Sequence, residues 1–208
     1  MDQNMDLLQY YPRIAEATRR YSSVNETYQT LLSICNGARR RSGRLVIDHC
    51  VGTAERVTHY VTDPVYINAA LLHDVIEDGF LNFEDVKSIS GLGIMGEVCA
   101  RVVTVLSKAS DIEDKKVRDG IYMKQLWKTA VGTRERNIAT IKLADRINNM
   151  SDLEFLAPDR ILFIIKQSLF YYFQMAMRLN LLTLGNRLLR STMHYLNYPE
   201  IRDGGFKS

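Results

Sequence analysis

The sequence predicts an all-α protein, a compact bundle of about eight to ten helices, and three observations carry that expectation. Apolar residues recur at helical spacing along almost the whole chain, prolines number only four, and alternating strand-like runs are scarce. The composition is that of a soluble globular protein, with 46% hydrophobic and 25% charged residues. A chain of 208 residues can bury one substantial core, so residues 1–208 read as a single domain.

Taken in order, a first helix covers Asp6 to Arg20. Ser23 with Glu26 three residues on has capping-box spacing and starts a second helix that runs to about Ala38 and delivers Arg39, Arg40, Arg41 and Arg44. After Ser42 and Gly43, a helix from Val46 to Val61 carries His49 in its first turn. Asp63 as N-cap and Pro64 as first residue open the next helix, and Gly79 closes it. On that helix His73 and Glu77 are four apart, and Asp74 and Asp78 repeat the spacing one position round.

Asn82 with Asp85 begins a short helix ending at Gly91. Ile94 to Ser107 forms another, with the apolar stripe Val98, Val102 and Leu106. Ser110 to Arg118 is polar and charged and reads as a mobile loop that could serve as a lid. Tyr122, Leu126 and Val131 mark a further helix, and the next carries Asp145 and Asn149 on one face. Pro158 to Leu196 gives two helices broken near Gly185 and Asn186, and the tail Tyr198 to Ser208 reads as frayed.

Several function classes recede on composition. A net charge of +3 is too small to indicate a nucleic-acid partner, although the arginines cluster between residues 39 and 44. Cys35, Cys50 and Cys99 are odd in number and show no CxxC pairing, so neither a disulfide framework nor a zinc knuckle is indicated, and a reducing cytoplasm fits best. The first residues, polar and acidic, do not read as a signal peptide. The most apolar run, Ile161 to Leu182, contains Lys166, Gln167, Gln174 and Arg178 and reads as a long buried helix, not a membrane span.

The chemistry concentrates at His73 and Asp74. A carboxylate beside an imidazole at the end of an apolar run is costly to bury unless a cation or hydrogen bonds compensate. His49 upstream and Asp145 downstream each sit in a polar break of an apolar helix, so four candidate metal ligands come from three separate segments. Imidazole and carboxylate ligands suit a divalent ion such as Mn²⁺, with Zn²⁺ or Fe²⁺ as alternatives. Glu77 and Asp78 at a helix C-terminus are disfavoured by the helix dipole, and their presence there argues for a role in function.

Arg40-Arg41-Ser42-Gly43 with His49, then His73-Asp74 with Glu77-Asp78, then Lys142-Leu143-Ala144-Asp145 with Asn149-Met150, resembles the RelA/SpoT-type alarmone hydrolases of the HD-domain phosphohydrolases. The resemblance covers about residues 35 to 155, leaving the helices of 158–196 and the tail of 198–208 outside it. It implies an HD-domain bundle holding one Mn²⁺ through His49, His73, Asp74 and Asp145. The implied reaction removes the 3′-pyrophosphate of an alarmone nucleotide such as ppGpp or ppApp, with Glu77 and Asp78 orienting and deprotonating the attacking water. It also implies substrate contacts at Arg40, Arg41, Ser42 and Asn149, and a phosphate contact at Lys166.

The chain is too short for the synthetase domain of the long bifunctional members and looks like a free-standing small hydrolase. The implied partner is a small nucleotide, with neither nucleic acid nor membrane, in the cytoplasm, and the oligomeric state stays open. Where the family has Gly-Glu-Pro-Tyr and His-Pro, this chain has Gly43-Arg44-Leu45-Val46 and His49-Cys50, and Ser151 follows Met150 where members tend to carry an Arg soon after. These departures keep two alternatives open: another nucleotide phosphoester as substrate, or a weakly catalytic nucleotide-binding or antitoxin-like protein.

Overall fold

The computed structural model describes residues 7–108, 112–133 and 135–197; among them every regular element is helical, and the only β-bridge joins Arg39 to Leu45. The all-α expectation holds. The chain forms two compact units, Met1–Leu126 and Trp127–Ser208.

In the first unit a 3-10 turn, Leu7–Tyr10, precedes α1 (Pro12–Arg20). The α-helix starts later than expected because Pro12, which lacks an N–H and has a fixed φ, takes its first position. Helix α2 (Ser22–Cys35) does not use the predicted capping box. Tyr21 is its N-cap, and the Ser23 hydroxyl instead accepts a hydrogen bond from the Asn68 amide at 3.2 Å. The helix also stops short of Ala38, since Gly37 takes a φ of +77°. The arginine cluster therefore lies on a loop. That loop is closed by Val46 N–H donating to the Ala38 carbonyl at 2.9 Å and Arg40 N–H to the Arg44 carbonyl at 2.8 Å.

Helix α3 (Val46–Val57) buries residues along nearly its whole length and packs on α1, α2 and α4. Helix α4 (Pro64–Leu71) starts as predicted, with the Asp63 carboxylate accepting from Val65 N–H at 2.9 Å. It does not continue to Gly79. Residues 72–79 form successive turns because the His73 side chain takes the Ala70 carbonyl, the acceptor that a continuing helix would offer to Asp74 N–H. Gly79, at φ +76°, still ends the segment. Its N–H donates to Ile76 and that of Phe80 to Val75, the paired bonds of a Schellman cap.

Asn82 and Asp85 form the predicted capping box of α5 (Phe83–Lys87), which is followed by a 3-10 stretch, Ser90–Met95. A Cβ on Gly96 would meet the Lys87 carbonyl at 2.1 Å, so only glycine lets α6 (Gly96–Leu106) start this close to α5. Its buried face is Cys99, Val102, Val103 and Leu106, an i, i+3, i+4, i+7 set; Val98, expected in the stripe, lies off that face and is 40% exposed. Helix α7 (Lys115–Trp127) replaces the C-terminal part of the predicted loop, while Ser110 and Asp111 lie outside the described residues.

The second unit opens with a π turn, Lys128–Gly132, and α8 (Arg136–Met150). After a 3-10 turn, Leu153–Phe155, come α9 (Pro158–Gln167), a π stretch Ser168–Phe173, α10 (Gln174–Arg178) and α11 (Leu182–Leu196), which packs on α8. The run read as one long buried helix is thus three windings. The wider π turns bury Tyr172 and leave Phe170 70% exposed. The break near residue 185 falls instead at Asn180, whose φ is +55°. Gly185 lies inside α11 for a packing reason, since a Cβ there would meet Met177 Cε at 2.7 Å. The predicted frayed tail, 198–208, lies outside the described residues.

No helix among the described residues is long and apolar enough to cross a membrane. Cys35, Cys50 and Cys99 are free and buried. Burial pushes the Cys35 thiol up to about 11, helped by Asp78, and the Cys99 thiol to about 12, so neither is a nucleophile near neutral pH.

Candidate metal centre

Three of the four predicted ligands come together within the first unit. His49, in the first turn of α3, and His73, two residues past α4, are both fully buried, and their Nε2 atoms are 3.2 Å apart. Asp74 Oδ2 is 3.3 Å from His49 Nε2 and 3.2 Å from His73 Nε2. The three atoms make a nearly equilateral triangle.

The tautomer of His73 follows from its other nitrogen. Nδ1 is 2.9 Å from the Ala70 carbonyl, which can only accept, so Nδ1 carries a proton, and whenever the ring is neutral its lone pair is on Nε2. Two ring nitrogens and a carboxylate oxygen this close are held by shared protons or by a shared cation, and one cation serves all three at once. Imidazole nitrogens and a carboxylate oxygen are a donor set that could hold a divalent ion.

Arg40 and Arg41 are not equivalent. Arg40 Nη1 lies 3.6 Å from Asp74 Oδ2, whereas Arg41 is exposed. Ser42 Oγ is buried in the same loop with no hydrogen-bond partner. It is an unsatisfied group beside the predicted substrate residues.

Glu77 and Asp78 lie in the turns of 72–79, not on the regular helix face that their spacing predicted. The Asp78 carboxyl is pushed above the usual carboxylate range by burial, and further by Asp74 and Glu77 beside it, with Arg40 and His73 pulling the other way. A carboxylate made more basic is a better proton acceptor. Glu77 is held in place by a residue that sequence reasoning missed. Lys108 Nζ is 3.5 Å from Glu77 Oε1, and the Lys108 backbone N–H donates to Oε2 at 3.3 Å. Lys108 also reaches Asp119 Oδ1 at 3.6 Å and lies over the Tyr122 ring.

Asp145, the fourth predicted ligand, belongs to the second unit. On α8 its Oδ2 is 3.0 Å from Lys142 Nζ, and its Oδ1 accepts from the Asn149 amide. Lys142 and Asp145 are each only 5% exposed. Arg146, next along, stacks on the Tyr172 ring with its Cζ 4.4 Å from the centroid. Lys166 is exposed on α9. The Lys142 partnership was open to sequence reading, being an i, i+3 pair. Those of Lys108 were not, since Glu77 is 31 residues away.

A buried histidine paired with a His-Asp dipeptide, in a chain whose described elements are all helical, defines a class: residues 27–182 match the family model described as "HD domain", and the chain belongs to that family. The family implies a divalent metal, and the His and Asp cluster supplies groups able to hold one. The chain is similar to the guanosine-3′,5′-bis(diphosphate) 3′-pyrophosphohydrolase of Aquifex aeolicus, at 29% identity over 93% of this chain and 26% of that protein. It is 33% identical to the Haemophilus influenzae protein of the same name, over 73% of this chain and 22% of that protein. It is also 30% identical to the bifunctional (p)ppGpp synthase/hydrolase SpoT of Escherichia coli, over 76% of this chain and 22% of that protein. The chain thus spans about a quarter of the length of these curated relatives. Among solved structures, a metazoan ortholog of SpoT described as hydrolysing ppGpp shares the fold, with a TM-score of 0.65 at 20% identity, covering 82% of this chain and 93% of that one.

Proposed function

We propose that this chain is a metal-dependent 3′-pyrophosphohydrolase of alarmone nucleotides such as ppGpp or ppApp, acting as a single domain in the cytoplasm on a small-molecule substrate. The observation that carries the reading is the triangle of His49 Nε2, His73 Nε2 and Asp74 Oδ2, with Arg40 3.6 Å from the same carboxylate oxygen. The names of the relatives supply the substrate class.

In this reading His49, His73 and Asp74, with Asp145 as fourth ligand, hold one Mn²⁺. When bound, such an ion supplies Lewis acidity, which makes water acidic near neutral pH and takes up charge on phosphoryl oxygens. The chain's own residues do the rest. Asp78, with its raised carboxyl, accepts the proton of the attacking water, and Glu77, held by Lys108, orients that water. Oxygen attack on the 3′ phosphorus breaks its bond to the ribose 3′-oxygen, which leaves with a proton, and pyrophosphate is released.

Arg40 and Arg41 attract the anionic nucleotide, and the unpartnered Ser42 Oγ donates to it. Asn149 contacts the ribose side and Lys166 a phosphate. The test is to incubate the purified protein and Mn²⁺ with ppGpp and with ppApp and measure pyrophosphate. Release from at least one is expected, and release from neither overturns the proposal.

A further inference from the structure

Arg40 needs a mechanical explanation, because it sits on a loop with no helix to hold it. Its backbone N–H donates to the Arg44 carbonyl at 2.8 Å, and the Gly43 N–H returns a bond to the Arg40 carbonyl at 2.9 Å. The position of Arg40 therefore depends on that of Arg44. Arg44 is in turn fastened through its side chain: Nε donates to Asp48 Oδ2 in the first turn of α3, and Nη2 donates to the Asp48 backbone carbonyl at 3.3 Å.

The other oxygen of that carboxylate is also taken. Asp48 Oδ1 accepts the Tyr11 hydroxyl at 2.6 Å, across 37 residues of sequence. Tyr11 is itself well anchored, since Arg13 and Ile14, two and three residues on, donate their backbone N–H groups to the Glu55 carboxylate on α3 at 3.1 and 2.9 Å. Burial, then the hydrogen bond to Asp48 and its charge, pushes the Tyr11 phenol up to about 12, so it stays a neutral donor throughout the working pH range. Residues 27–182 match the family model, and Tyr11 lies before them.

We propose that Tyr11, Asp48 and Arg44 form a clamp that fixes the 39–45 loop and presents Arg40 at Asp74, which makes Tyr11 a positioning residue for binding of the anionic substrate. The inference rests on the substrate role given to Arg40 above. The Tyr11 hydroxyl withdraws one lone pair of Asp48 from solvent and orients the carboxylate so that its other oxygen faces Arg44. Without it, the Asp48 carboxylate is held by Arg44 alone, Arg44 keeps only the Asp48 backbone carbonyl as a fixed acceptor, and the loop samples positions in which Arg40 points away. The consequence falls on binding and not on the chemical step, because the clamp acts through the loop that carries Arg40.

Tyr11→Phe tests this in the full chain, since it removes only the hydroxyl and leaves the Glu55 anchorage of α1 intact. Two readouts are used: steady-state hydrolysis of ppGpp with Mn²⁺, and calorimetric titration with inorganic pyrophosphate in EDTA, which needs neither metal nor turnover. Tyr11→Phe should raise KM and weaken pyrophosphate binding several-fold, with kcat within twofold and Tm essentially unchanged. In an Arg40→Ala background the same change should add nothing. An unchanged KM and pyrophosphate affinity in Tyr11→Phe, or an equal loss with and without Arg40, overturns the clamp. If Arg40→Ala itself leaves both readouts unchanged, the substrate role of Arg40 falls and the clamp with it. If pyrophosphate binding responds as expected while no nucleotide is hydrolysed, the clamp stands and only the proposed reaction is lost.

Discussion

The segment 72–79 and helix α8 both carry acidic groups into protected surroundings, and they do so in opposite ways. On α8 the buried Asp145 meets two partners of its own helix, Lys142 at i−3 and Asn149 at i+4, and the winding is undisturbed. In 72–79 the helix is given up. His73 takes the Ala70 carbonyl, and Asp74 meets His49 and Arg40 from other parts of the chain. Partners supplied by one helix leave its backbone regular, whereas partners brought from elsewhere in the chain go with a backbone that leaves the helix.

The largest expected effect comes from breaking the distant kind. His73→Ala or Asp74→Ala should lower metal affinity by at least about a hundredfold and abolish hydrolysis, because the remaining ligands are left as an incomplete set. Metal content after dialysis and pyrophosphate release check this together; full occupancy in either variant would show that the triangle is not the metal site. Glu77→Gln sharpens the contrast from within the same segment. It should keep the metal and lose roughly 10²- to 10⁴-fold in kcat, since it removes an ionised group and not a ligand. Wild-type turnover in that variant removes Glu77 from the mechanism.

On α8 the expected break is of stability. Lys142→Met leaves Asp145 buried without its cation and should cost about 3–5 kcal/mol, measured by urea unfolding of the metal-free protein. A loss below about 1 kcal/mol would mean that the pair is not what neutralises Asp145.

The smallest effects separate the two arginines. Arg40→Ala should raise KM about tenfold, and Arg41→Ala, which removes an exposed charge, by roughly threefold or less. The Arg41 effect should vanish as salt is raised, because exposed charges are screened within a Debye length of about 10 Å at 0.1 M. Equal and equally salt-sensitive effects would erase the distinction that the loop geometry draws.

How much of this was legible in sequence follows the same division. The all-α class, the start of α4 at Asp63 and Pro64, the capping box at Asn82 and Asp85, and the face shared by Asp145 and Asn149 were all readable, because each depends on residues within a turn of one another. The capping box at Ser23 failed for the opposite reason, since its hydroxyl is claimed by Asn68, 45 residues away. Val98 was misassigned because a stripe on paper does not say which neighbouring helix will cover it.

The sequence by itself determined which groups were available: two histidines, an adjacent Asp and the following Glu and Asp, the arginine cluster, and the helices to carry them. Only the tertiary structure decided their use. It ended α4 at Leu71, set the Nε2 atoms of His49 and His73 3.2 Å apart, turned Arg40 toward Asp74 and left Arg41 in solvent, and bonded the Tyr11 hydroxyl to Asp48. The physical reason is range. Helix propensity, caps and i, i+4 pairs are settled within about one turn of backbone, whereas the choice between a carbonyl, a carboxylate and a cation as the partner of a buried polar group depends on what the folded chain brings beside it.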